Sequence, residues 1–233
     1  MKTTADLSVF EKKINTNFHD KNLLKQAFVH RSYLNENKDF PIGHNERLEF
    51  LGDAVLELSI TDYLYKKFPE KTEGELTSLR SALVNANTLH LVGVDLGIND
   101  YLLLSRGESK DTGRARQYIL ANTMEALIGA IYLDQGYDKS NEFIHENITP
   151  LIDKVIEDGS WIDSKSLFQE KAQEHEGVTP SYKTMKESGP DHDKHFTVGV
   201  FLKNELIASG EGDSKQDAEQ KAAEKALIEK GWE

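Results

Sequence analysis

The sequence predicts two domains, an all-α domain followed by a smaller α+β module of order α-β-β-β-α. Three observations carry this. Apolar residues recur at helical spacing through most of the first two thirds of the chain; Asp158-Gly159-Ser160 has the small, polar composition of a linker; and beyond it a helical run precedes three strand-like runs and an alanine-rich final helix. The boundaries read as 1–157 for the helical domain, 158–163 for the linker and 164–233 for the module. With 233 residues there is chain enough for two cores.

From about Asp6 to His30, Leu23, Leu24, Ala27 and Phe28 stand at helical spacing, giving one or two short helices. Asn35–Gly43, with Pro41 and Gly43, is a loop. The next helix is expected from Asn45 as N-cap to about Lys67, where Phe68-Pro69 ends it. Gly52 in its middle costs about 1 kcal/mol relative to Ala, so something is expected to pack closely there. Thr72–Leu91 reads as one helix with Leu76, Leu79, Leu83 and Val84 inward, and Gly93–Asp100 breaks it. Tyr101–Arg116 is a loop carrying Arg106, Lys110, Arg114 and Arg116; Gln117–Leu133 is a strong helix, and Asp138–Ile156 a further one interrupted at Pro150. In the module, Ser164–Glu176 is helical, and Ser181–Lys186, Lys194–Lys203 and Glu205–Gly212 are strands. The last helix starts at Ser214, and Ala218, Ala222, Ala223, Ala226 and Leu227 give it a face suited to close packing on a sheet.

Composition narrows the function. No run approaches the roughly 20 apolar residues of a membrane span, and the opening residues hold no apolar signal core, so a cytoplasmic protein with no membrane partner is expected. Zero cysteines remove disulfides and thiolate metal sites. The net charge of -12 argues against bulk attraction to nucleic acid: even Trp161–Glu233 holds 10 basic against 15 acidic residues. A nucleic-acid partner would have to be held by a local cationic patch.

The acids near the start of the long helix are the sharpest feature. At about 100° per residue, Glu46, Glu49 and Asp53 fall at roughly 0°, 300° and 340°, one narrow wedge. Leu48, Leu51, Val55 and Leu58, at roughly 120° to 200°, are read as the core side. Like charges three and four apart repel, and a wedge with no cation in it asks for a metal, although a solvated face would look the same from these three acids alone. Glu57 falls on the same face, and Phe50 lies beside it and needs cover from a partner or from another helix of its own chain. Asn122 and Glu125 sit three apart on one face of the Gln117–Leu133 helix.

Asn45–Leu56 (NERLEFLGDAVL) resembles the signature of the ribonuclease III family. His30-Arg31-Ser32, Glu73-Gly74-Glu75-Leu76, Ile119–Asp134 (ILANTMEALIGAIYLD) and a tail similar to a double-stranded-RNA-binding domain extend the resemblance over nearly the whole chain in the family's order. It implies an all-α endonuclease domain that forms a homodimer, followed by an α+β double-stranded-RNA-binding domain. The implied reaction is Mg²⁺-dependent hydrolysis of duplex RNA, with Mn²⁺ as a substitute ion and no small-molecule cofactor. Its products would carry 5′-phosphate and 3′-hydroxyl ends with short 3′ overhangs, and its substrates would be ribosomal RNA precursors and structured transcripts.

Residue by residue, the resemblance puts Glu49, Asn122 and Glu125 at metal-ligand positions. Asp53 and Glu125 are then the residues most tied to catalysis, Glu46 and Glu49 complete the catalytic acids, Glu73 is a supporting acid and Phe50 a dimer contact. Gln169 and His192 would meet the RNA minor groove, and Lys215 the phosphates. Two positions depart from the pattern. Asn122 stands where Asp is usual, which removes one negative charge from the site and keeps open a non-catalytic duplex-RNA-binding protein. Gln216 stands where a second lysine is frequent, which weakens phosphate binding. The family fixes no acid at Glu57, so that residue is read as exposed or ion-paired.

Overall fold

Capping side chains set where the first helices begin. Asp6 accepts from the Ser8 amide ahead of α1 (Leu7–Lys13), Asp20 from the Asn22 amide ahead of α2 (Lys21–Ala27), and the His30 imidazole from the Ser32 amide ahead of α3 (Arg31–Glu36). Each satisfies an N–H group that a helix's first turn leaves unpaired. The structure, a computed structural model, describes residues 6–159, 161, 163–190 and 194–232. It divides into two compact units, Met1–Trp161 and Ile162–Glu233.

The central helix α4 (Glu46–Lys67) differs from expectation at its start. Asn45 precedes it, but its side chain caps nothing. Its Nδ2 donates to the Ala27 carbonyl (3.1 Å) and its own N–H to Val29 (2.9 Å), so it is a buried tie to the end of α2. The expected helix over Thr72–Leu91 is two helices. α5 (Glu73–Val84) opens on a capping box between Thr72 and Glu75, and α6 (Ala86–Asp95) follows an extended Asn85 whose side chain accepts from the Thr88 amide. Such a side-chain bond competes with helix continuation, and apolar spacing alone does not register it.

The helix expected at Gln117–Leu133 is longer, α7 (Arg114–Asn147), and bends at Gly136, whose φ of 83° interrupts the helical path. That backbone region is cheap only for glycine. Asp134, just before the bend, accepts from the His19 and Asp20 amides (2.8 Å each), which ties the bend to the start of α2. A single turn with Pro150 in its opening leads to α8 (Ile152–Glu157).

α4 and α7 cross at glycines. A Cβ on Gly52 would fall on the carbonyl oxygen of Glu125 and 2.8 Å from the Gly129 nitrogen; one on Gly129 would fall on the carbonyl oxygen of Leu48. The backbones therefore touch, which is the close packing that a glycine inside a helix implies. The buried side of α4 comprises Leu48, Gly52, Val55, Leu56, Ser59, Ile60 and Leu64, while Leu58, expected inward, is 58% exposed. These positions centre nearer roughly 260° than 160° on the helical wheel. The acid wedge consequently borders the packed face, and Glu49 at its edge is half-buried.

In the second unit, α9 (Ser164–Glu176) and α10 (Lys215–Lys230) flank a sheet of β1 (Ser181–Ser188), β2 (His195–Leu202) and β3 (Glu205–Gly212). The strands are antiparallel in the order β1-β2-β3. Phe168 and Ala172 of α9, Val200 and Leu202 of β2, and Ala222, Ala223, Ala226 and Leu227 of α10 make one core. The alanines do what their spacing predicts: a Cβ on Gly210 of β3 would meet the backbone of Ala218 and Ala222, so helix and sheet approach at backbone distance.

Candidate active site at the α4–α7 crossing

The glycine crossing decides which side chains meet. Gly52 lies between Glu49 and Asp53 on α4, and its neighbour across the contact is the backbone of Glu125 on α7. One turn before Glu125, the Asn122 side chain lies beside the Glu49 carboxylate and favours its ionised form. Glu49, Asp53, Asn122 and Glu125 thus share one locality, assembled from helices far apart in sequence.

Charge crowding there is strong. The Glu125 carboxyl is pushed up to about 8, first by burial and then by the charges of Asp53, Glu49 and Glu57. Glu49 is also raised, by burial and by Glu46, while the Asn122 amide opposes the shift. Burial and like charges both disfavour the ionised form, so these carboxylates want either a proton or a cation. Among the described residues, no basic side chain is within ion-pair distance of Glu49, Asp53 or Glu125.

The outer acids are different, and correct the expectation of a wedge without cations. Glu46 is 3.5 Å from Arg31 Nη1 and 3.7 Å from His44 Nδ1. Glu57 is ion-paired with Arg80, whose Nε is 2.8 Å from its Oε2, the ion-paired alternative expected for it. Glu73, at the first turn of α5, is exposed and accepts from Thr77 Oγ1 at 3.1 Å, with no described bond to the α4 or α7 acids. Phe50 is 82% exposed, which excludes cover by another helix of its own unit. Neither the Asn122–Glu49 approach nor the arginine pairs had a signal in the sequence, because each joins residues on different elements.

The donor set fits a hard divalent ion. Glu49, Asn122 and Glu125 offer only oxygen ligands, the type that Mg²⁺ takes while keeping several waters. Among the described residues no group of three or more His, Cys, Asp or Glu side chains is arranged around one point; the set here is two carboxylates and an amide, with Asp53 beside them.

In the second unit, Gln169 is exposed on α9, and Lys215, the first residue of α10, stands over the Phe196 ring at 5.6 Å. Gln216 is exposed, and Lys221, which could have stood in for a second lysine there, is paired with Asp217 at 2.9 Å. His192 lies outside the described residues.

The chain thus joins a helical unit with crowded carboxylates at a helix crossing to an α-β-β-β-α module. The comparisons with known proteins give its kind. A profile described as Ribonuclease-III-like matches residues 20–152, and one described as Double-stranded RNA binding motif matches 164–230. Ribonuclease 3 of Borreliella burgdorferi is 44% identical over 96% of this chain and 91% of its own length; that of Enterococcus faecalis is 46% identical over 90% and 91%. A solved nuclease domain of ribonuclease III from Campylobacter jejuni, 37% identical, superposes with a TM-score of 0.55 over 62% of this chain and 99% of its own. The chain belongs to the ribonuclease III family, endonucleases of double-stranded RNA.

Proposed function

We propose that this chain cuts duplex RNA with Mg²⁺ as a homodimer, Mn²⁺ serving as a substitute ion. The observation that carries the reading is the trio Glu49, Asp53 and Glu125, crowded at the α4–α7 crossing without a counter-charge and holding one carboxyl up to about 8. Glu49, Asn122 and Glu125 would hold the ion. When bound, it would supply charge stabilisation at the phosphate and lower the pKa of a water.

The chain's own residues do the rest. Asn122, beside Glu49, favours the ionised form of that carboxylate. Glu125 would have to be ionised to serve as a ligand, so its proton would be lost in the metal-bound form. Asp53, exposed beside them, accepts a proton from the attacking water in this reading. Water oxygen bonds to phosphorus as the bond to the 3′ oxygen breaks and that oxygen takes a proton from solvent, which leaves 5′-phosphate and 3′-hydroxyl ends; short 3′ overhangs follow if two sites face opposite strands. Gln169 and His192 supply minor-groove contacts, and Lys215, with the first amides of α10, meets phosphates. Ribosomal RNA precursors and structured transcripts in the cytoplasm are the substrates this reading favours, and Glu46 and Glu73 are its supporting acids.

The homodimer rests on Phe50. A ring 82% exposed beside the acids is a poor surface residue and a good anchor for a second copy. The Campylobacter jejuni structure is described as flexible in a region involved in dimer formation. Phe50→Ala is expected to move the mass in solution from dimer towards monomer; an unchanged dimer contradicts the contact.

A labelled duplex and its single strand, each incubated with Mg²⁺ or with chelator, test the activity. Cutting confined to the duplex with Mg²⁺ is expected. Asn122 favours the second reading, a duplex binder that does not cut, and the same assay separates the two. Asn122→Asp replaces a neutral amide beside Glu49 by a negative ligand, so its Mg²⁺ midpoint is expected below that of the native chain. Identical midpoints would show that the neutral ligand is immaterial.

A further inference from the structure

Of the five carboxylates along this face, the two outer ones carry arginines and the inner three do not. The Arg80 pair is the tighter. From α5, Arg80 pairs with Glu57, its Nε 2.8 Å from Oε2, and donates through Nη1 to Thr61 Oγ1 (3.0 Å). Glu57 and Thr61 are one turn apart on α4, so two partners fix the guanidinium, whose planar fork suits that geometry. Both members of the ion pair are about one third exposed, and pairs so placed add little to stability.

Glu57 stands four residues after Asp53, the spacing that sets helix side chains next to one another, and its charge reaches Glu125. Released from Arg80, it would be one more oxygen donor a turn along the same face. Asp53 and Glu57 would then offer a hard cation a competing pair of ligands. We propose that Arg80 is a positioning residue that keeps Glu57 out of the cation's ligand set, so that the ion is confined to Glu49, Asn122 and Glu125. The proposal rests on the Mg²⁺-dependent reading above and states which donors the ion is denied.

The test compares the full chain with Arg80→Gln, Arg80→Lys, Glu57→Gln and the double variant Arg80→Gln/Glu57→Gln. Mn²⁺ bound per chain, duplex cleavage at saturating Mg²⁺ and the thermal midpoint are read for each. Arg80→Gln is expected to bind more Mn²⁺ than the native chain and to lose about tenfold in kcat, the scale of outer-shell changes at metal sites, with KM for the duplex unchanged. Glu57→Gln stays native in both, and Arg80→Lys, which keeps a cation beside Glu57, stays close to native. The double variant returns to native values, because position 57 no longer has a carboxylate to enter the ligand set. A double variant as slow as Arg80→Gln, or Arg80→Gln with native Mn²⁺ binding, overturns the proposal and leaves the enzyme reading intact. A native chain that neither binds Mn²⁺ nor cuts duplex overturns both.

Discussion

Glu125→Gln is expected to slow duplex cleavage by on the order of 10³-fold while duplex binding is retained. A bound ion contributes several kcal/mol of charge stabilisation, and about 4 kcal/mol corresponds to that factor. Gln keeps the shape, and the contact of this residue with Gly52 is through its backbone, so the crossing survives. Stability separates loss of chemistry from loss of fold. A carboxyl raised to about 8 in the folded state favours folding below its unfolded pKa, and that contribution is lost as pH rises towards 8. The ion-free native chain should therefore lose thermal stability between pH 5 and 8 more steeply than Glu125→Gln. A variant that melts well below the native chain at pH 8 would assign the residue to packing.

Gly129→Ala should have the largest effect on folding. The added methyl would land on the Leu48 carbonyl oxygen and 3.0 Å from the Gly52 nitrogen, backbone atoms with no flexible end to swing away. Overpacking of this kind costs about 3 kcal/mol or more, which lowers the thermal midpoint of the first unit by roughly 6–12 °C. If the helices separate by about 1 Å, cleavage falls roughly 10²-fold as well. Gly74→Ala, where an added Cβ meets nothing within 4 Å, is the matched control and should melt with the native chain. Equal midpoints for the two variants would mean that the crossing is not tight.

The same crossing shows what the sequence could and could not convey. The module was legible down to its alanine face, because strand alternation, turn residues and small-residue spacing are local signals, and α9 has the bounds that its periodicity predicts. The α4 helix was legible as an element, but its buried side was misplaced: Leu58 counted as core by hydropathy, while Gly52 and Ser59, which carry little hydropathy, are what face α7. The break at Asn85 and the bend at Gly136 turn on one side-chain bond and one positive φ, and neither changes the apolar rhythm. For the site, the acids could be named from spacing and resemblance. Their ties to Asn122, Arg31 and Arg80 could not, since pairing between helices depends on register, which no single segment encodes.

The central claim is that α4 and α7 each supply half of one cation site, and calorimetric titration of Mn²⁺ at pH 7 tests it most directly. Native, Glu49→Gln and Glu125→Gln chains are compared in buffers of different ionisation enthalpy. The native chain is predicted to bind Mn²⁺ with release of about one proton, because a carboxyl pushed up to about 8 is mostly protonated at that pH and must ionise to become a ligand. Both variants should lose that binding together. Mn²⁺ binding that persists undiminished in Glu125→Gln would contradict the account, since α4 would then hold the ion alone.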